Sequence, residues 1–382
     1  MTILNARESY FLSLIRRHGA LSRRELHEQT RLRPNTVGDL AAGMIERGLL
    51  REGEPEVGGP GRPRQPLEID PSRRRVVGLA FEPGQVSACE LSLNGVRVGP
   101  SHEHRVHDPE ELVSEAVSLV RELCDERTLA LGISTTGFVD PQTRSILTSS
   151  ATQRRSPTRI GDVYAAAAGC PVVLENDMHA QATCWLLNQD VDTLEDILLI
   201  DLRDGAIGSA LLVGGRANRG CIIGGNELGH TRFFVDTEQC YCGHKGCLER
   251  ICSSEYLRRI GNDPAAVLDK ALDRRDSSDP ALAEIIRHVS MGIANAINFI
   301  RPNRVVLAGQ LTTHAAFCKD LLARVRALLL APLAERVRIE VWDKPPVPAA
   351  DAAAWLGLAA IYRHEFSVTE PVAEYARASV PA

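Results

Sequence analysis

Near residue 72 the spacing of apolar residues changes, and that change most limits the folds open to this chain. Up to residue 52 the pattern is helical. Tyr10, Phe11, Leu14 and Ile15 recur at helical spacing until His18-Gly19. Ser22, with Glu25 three residues on, reads as a capping box opening a second helix that carries Leu26. Arg31-Leu32-Arg33 makes a short turn. Pro34 suits the first turn of a third helix, which carries Val37, Leu40, Met44 and Ile45 and stops at Gly48. GGPGRPRQPLEID (58–70) follows, with Leu67 and Ile69 alternating as in a β-hairpin wing. Three short helices also suit a generic bundle, but helix, turn, helix and wing together predict a winged helix-turn-helix domain over residues 1–72.

From Arg73 onward strand-like runs alternate with helical ones. VVGLAF (76–81), CELSL (89–93), LALGIS (129–134), PVVLE (171–175), DILLIDL (196–202) and RVVLAG (304–309) read as strands. PEELVSEAVSLVRELCDE (109–126), MGIANAINFI (291–300) and DAAAWLGLAAIYRH (351–364) read as helices. The pattern predicts an α/β fold, and 382 residues suffice for two to three domains at about 150 each. With 44 % hydrophobic and 24 % charged residues, a disordered chain, a collagen-like repeat and a small disulfide scaffold are excluded. No run approaches 18 apolar residues, so no membrane span is expected; the amino end lacks a signal-peptide pattern, and a cytoplasmic location is expected.

The net charge of -5 is unevenly spread. Residues 1–75 hold 14 Arg against 10 Asp and Glu, a surplus of four that leaves the remainder at -9. An Arg-rich head on an acidic body points to an anionic partner touched by the head alone, and with the helix-turn-helix pattern the expected partner is double-stranded DNA. Arg33, Asn35 and Thr36 fall at the amino end of the third helix, where a recognition helix presents side chains to base edges. Asn35 and Thr36 also suit a helix start. Arg62 and Arg64 flank a proline in GRPR, a rigid strip narrow enough for a minor groove, though such a strip also serves as a linker.

Of ten cysteines, three crowd into CYCGHKGC (240–247). Cys240, Cys242 and Cys247, with His230 upstream, are the number and type of ligands that tetrahedral zinc takes. Gly243 and Gly246 allow the tight turn. A complete protein ligand set leaves no open position, so the zinc is expected to be structural. Glu227 and Glu249 lie close to these ligands in sequence, and rigid carboxylates beside an imidazole suit a hydroxyl-rich ligand. Asn176 and Asp177 end a predicted strand, where α/β folds place ligand groups; they equally suit a helix cap.

LENDMHA (174–180), ELGH (227–230) and the CYCGHKGCLE run (240–249) together resemble the ROK family of sugar kinases and sugar-responsive repressors. The likeness spans most of residues 1–365, and ISTTGFVD (133–140) is similar to the family's sugar-lobe turn, with Gly137 retained. The resemblance implies a two-lobed actin-like ATPase fold over 73–382. One lobe would be 73–192 plus the C-terminal helix, the other 193–345, with sugar in the cleft. It implies sugar contacts from Gly137, Asn176, Asp177, Glu227, His230 and Glu249, with His230 shared between sugar and zinc. In the kinases the residue matching Asp177 is the general base.

The departures favour the repressor branch. Kinases carry Asp-x-Gly-Gly-Thr after the first strand; here GLAFEPGQ (78–85) has Ala80 for the aspartate and Glu82-Pro83 for the glycines. Proline donates no N–H, and the carboxylate repels phosphate. Asp204-Gly205-Ala206 and VVLAGQ (305–310) are likewise degraded phosphate-loop and nucleotide elements. The expectation is a sugar-responsive repressor rather than an enzyme, a homodimer or homotetramer on a two-fold operator. The alternative is a sugar kinase acting on a hexose or amino sugar.

Overall fold

Asn5 and Ser22 start the first two helices by reciprocal caps. Asn5 accepts the Glu8 amide and Glu8 the Asn5 amide, opening α1 (Ala6–His18); Ser22 and Glu25 do the same for α2 (Arg23–Thr30). Pro34 stands in the first turn of α3 (Pro34–Glu46). The computed structural model describes residues 3–55, 65–106, 108–149, 157–189, 195–219, 226–273, 279–342 and 347–362. β1 (Leu21–Ser22), β2 (Leu50–Glu52) and β3 (Pro66–Ile69) form an antiparallel sheet in the order β1-β3-β2. Phe11, Ile15, Leu26, Val37, Met44, Leu50 and Leu67 are buried, so helices and wing share a core.

The chain then builds β4 (Arg75–Glu82), β5 (Gln85–Ser92), β6 (His102–Arg105), α4 (Pro109–Leu123) and β7 (Thr128–Thr135). β8 (Phe138–Asp140), β9 (Ser145–Thr148) and β10 (Thr158–Arg159) make a small antiparallel sheet. α5 (Gly161–Ala168) and β11 (Val172–Asn176) follow. The main sheet runs β11-β7-β4-β5-β6, with β11, β7 and β4 parallel. Val77, Leu79, Phe81, Leu131 and Ile133 share one core with Leu112, Ala116 and Leu119 of α4 and Tyr164 of α5. The period of two sends Val76, Gly78 and Ala80 to the opposite face.

A second five-stranded sheet forms from β12 (Ile197–Arg203), β13 (Ala206–Val213) and β14 (Arg216–Asn218), then β15 (Arg304–Ala308) and β16 (Arg338–Val341), in the order β14-β13-β12-β15-β16. α6 (Asp177–Leu187) precedes it. Between β14 and β15 lie α7 (Leu248–Ile251), α8 (Ser254–Gly261), α9 (Leu268–Asp273) and α10 (Pro280–Ile300). α11 (Ala315–Leu328) and α12 (Ala331–Ala334) connect β15 to β16. Residues of α7, α8, α10 and α11 share a large core with Leu198, Ile200, Val305 and Leu307. Finally α13 (Ala349–Tyr362) packs on β4 and β7. A Cβ on Gly132 would overlap the Ala353 carbonyl, and one on Gly78 the Ala350 carbonyl. These glycines let the helix backbone lie directly on the strands.

Two compact units result, Met1–Asp177 with Ala349–Ala382, and Met178–Pro348. The division expected at 192 falls instead after Asp177. The reason is α6, whose Met178, Ala182, Trp185 and Leu186 pack with Ile197, Leu199, Ala210, Leu212 and Val306. The head, expected as a separate domain, groups with the first sheet because α1 meets both β3 and α13. Among the described residues no helix is long and apolar enough to cross a membrane.

Candidate functional site

Residues 231–248 fold back on themselves to bring the ligand set together. The Phe233 amide donates to the Gly246 carbonyl at 2.7 Å, and the Leu248 amide to the Thr231 carbonyl at 3.0 Å. Buried Thr237 accepts the Gly246 amide at 2.8 Å. Gly243 and Gly246 have φ of 89° and 78°, so both glycines of the expected tight turn take left-handed backbone.

His230, Cys240, Cys242 and Cys247 then place one ligand atom each within 4.8 Å of one another. Cys242 Sγ lies 3.5 Å from Cys247 Sγ, and Cys240 Sγ 3.6 Å from His230 Nδ1. Zinc bonds of about 2.3 Å to sulfur and 2.0 Å to nitrogen give tetrahedral edges of roughly 3.5–3.8 Å, so the donor set fits that ion. Burial first, and its bond to Glu249 second, push the Cys240 thiol far above the usual range. Burial chiefly raises Cys247, to about 11. Burial opposes ionisation of Cys242 too, yet hydrogen bonds from His244, Cys240 and Cys247 hold it below the ordinary thiol value. A bound cation would reverse the burial cost for all three, because thiolates are then the paired form.

Glu249, in the first turn of α7, is 4 % exposed and accepts from Cys240 Sγ at 3.0 Å, with His230 Nδ1 at 3.6 Å. The other ring nitrogen, Nε2, faces Tyr241 Oη at 2.8 Å and the Glu227 carboxylate at 3.8 Å. His230 therefore turns Nδ1 to the thiols and Nε2 to polar groups outside them. Tyr241 was not singled out from sequence; its only signal was its place between two ligand cysteines.

In the first unit, Asn176 ends β11 and its Nδ2 donates to the Gly137 carbonyl at 2.9 Å. Gly137 has φ of 87°, and a Cβ there would overlap the Thr148 carbonyl. Thr135 and Ser149 hydroxyls meet at 3.2 Å beside this turn, a pair the sequence did not mark. Asp177 is the first residue of α6 and half-buried. β4 and β5 join through Pro83-Gly84 alone, with Glu82 opposite Gln85 and Gly84 at φ 70°. As the Glu82-Pro83 substitution implies, the turn is a two-residue hairpin rather than a glycine-rich loop. Asp204 accepts the Ser254 amide at 2.6 Å and also its hydroxyl, which ties the β12–β13 turn to the start of α8.

On the head, Arg33 and Asn35 are exposed and Thr36 half-buried, all at the amino end of α3. Four other head arginines are paired: Arg23 with Glu52, Arg24 with Glu28, Arg47 with Glu8 and Arg51 with Glu68, at 2.6–2.9 Å. Arg62 and Arg64 lie outside the described residues.

Two actin-like ATPase-type sheets, a Cys3His loop and a head of three helices and a small antiparallel sheet define the class of fold. The chain belongs to the ROK family, whose model matches residues 91–365. It is 24 % identical over 335 residues to the DNA-binding transcriptional dual regulator NagC of Escherichia coli K12, covering 78 % of this chain and 79 % of that protein. Among solved structures it resembles a ROK family transcriptional regulator described as a homolog of the E. coli Mlc protein. That likeness has a TM-score of 0.76 at 20 % identity, over 93 % of this chain and 96 % of the other. A ROK hexokinase from Thermus thermophilus matches with a TM-score of 0.57 at 24 % identity, over 75 % of this chain and 97 % of that enzyme.

Proposed function

We propose that this protein is a sugar-responsive, DNA-binding transcriptional regulator acting as a repressor. The observation that carries the reading is a winged-helix head on a ROK chain whose first hairpin is closed by Pro83 where kinases cradle phosphate. The fold likeness supports it, since the regulator match takes in 93 % of the chain and the hexokinase match 75 %. In this reading residues 1–72 bind a two-fold operator through Arg33, Asn35 and Thr36 in the major groove, with Arg62 and Arg64 in the minor groove. The effector is a hexose, pentose or amino sugar. The residues offered to its hydroxyls are Asn176 and Asp177 with the Gly137 turn in the first unit, and Glu227, His230 and Glu249 in the second. Zinc held by His230, Cys240, Cys242 and Cys247 is structural; its chemistry is to cross-link the loop and fix the His230 ring. The active form is a homodimer or homotetramer, and its work on operator DNA places it in the cytoplasm.

Selection from a random duplex pool tests this: the full chain should enrich an inverted repeat, and N-acetylglucosamine, glucose or xylose should change its affinity. Failure to enrich any duplex would overturn the reading. The place of Asp177 favours a second one, a sugar kinase, and a coupled ATP-consumption assay with the same sugars decides it. We expect no sugar-dependent turnover, because phosphoryl transfer needs phosphate positioning and charge neutralisation.

A further inference from the structure

We infer that Arg16 is the positioning residue of the DNA-binding head, clamping α1 to Trp355 and Tyr362 of α13 so that α13 sets the head's orientation. Arg16 lies in the last turn of α1, its guanidinium carbon 5.0 Å from the Trp355 ring centre and 5.2 Å from that of Tyr362. One turn earlier, Ser13 Oγ reaches the Tyr362 carbonyl at 2.6 Å. Tyr362 is the last described residue of α13. The Ser13 hydroxyl, which also faces the Ser9 carbonyl at 2.8 Å, thus joins α1 to α13, and the Arg16 charge lies against both rings.

The two rings are themselves held. Tyr362 Oη donates to the Leu93 carbonyl, and Trp355 lies so close to Gly95 that a Cβ there would overlap it. Both rings are nearly fully buried. Further along, α13 rests on β4, β7 and β11. At Gly78 and Gly132 the contact is backbone on backbone, with no side-chain layer to absorb a shift. β7 ends at Thr135 and β11 at Asn176, beside Gly137. α13 thus contacts both the strands that end at this turn and α1.

The DNA readout rests on the function proposed above; the exchange readout does not. Full-length Arg16→Ala and Arg16→Lys are compared with the parent chain by amide hydrogen exchange. Binding to the selected duplex is measured alongside, as one half-site and as the whole inverted repeat. With Arg16→Ala, α1 amides should exchange about ten-fold faster while those of α3 and α13 keep their protection. Affinity for the whole repeat should drop about ten-fold while the half-site is bound as before, because only the repeat requires two heads in register. Arg16→Lys should fall between, since an ammonium stacks less well than a guanidinium. Unchanged α1 exchange would overturn the inference. So would equal weakening on both duplexes, which marks a damaged head rather than a misplaced one. If the parent chain binds no duplex, the operator reading fails, and α1 exchange alone still decides whether Arg16 clamps the head.

Discussion

Single residues carry the metal loop and the turns around it. Cys242 is the ligand whose neighbours already favour the thiolate, and its sulfur faces Cys247 at 3.5 Å. Cys242→Ser should therefore lose the metal and lower the melting temperature, read by elemental analysis beside calorimetry; full metal content in the variant would refute the ligand assignment. Gly137 combines φ of 87° with a carbonyl where a Cβ would stand. Gly137→Ala should cost about 1–3 kcal/mol in urea unfolding and weaken sugar binding by displacing the Asn176 partner. Both positions were legible in sequence, one from ligand spacing and one from a retained glycine. The division of labour between the two His230 nitrogens was not, because ring orientation depends on Tyr241, Glu227 and Glu249 together.

At the scale of elements, the caps and periodicities of the head were readable because they are local. Asn5–Glu8, Ser22–Glu25 and Pro34 act over three or four residues. The head core is small, and Leu26 is fully buried in it. Leu26→Ala should destabilise the head by about 2–5 kcal/mol and abolish duplex binding. Sugar binding should persist, as titration calorimetry would show; loss of both would mean that the head supports the rest of the unit. The Pro83 hairpin was expected to be a poor phosphate cradle, and its tight closure comes from the β4–β5 pairing. The bond of Asp204 to Ser254, fifty residues away, had no signal in either segment.

For the whole molecule, charge and pH enter together. Asp70, at the junction of wing and first sheet, is buried, which alone would raise its pKa. Bonds from the Ser72 hydroxyl and from the Ser72 and Arg73 amides, with the Arg51 charge, outweigh burial and hold it below the usual carboxylate value. A lowered native pKa means stability that is present above about pH 4 and lost as the pH falls through the lowered value. Asp70→Asn should thus cost about 1 kcal/mol at pH 7, and in urea melts the gap should close as the pH falls through the lowered native value. A gap that persists in acid would assign the effect to packing.

What the sequence determined by itself is whatever short range decides: the three head helices, the runs that became strands and the Cys3His cluster. Each is set by spacing, capping or chemistry within a few residues. Tertiary structure alone decided that the chain divides at Asp177, that α13 meets α1, and that Asp204 holds α8. Ser13 and Tyr362 are 349 positions apart. No local pattern encodes such a pair, because the free energy that joins them exists only once both glycine-lined strands have formed beneath α13.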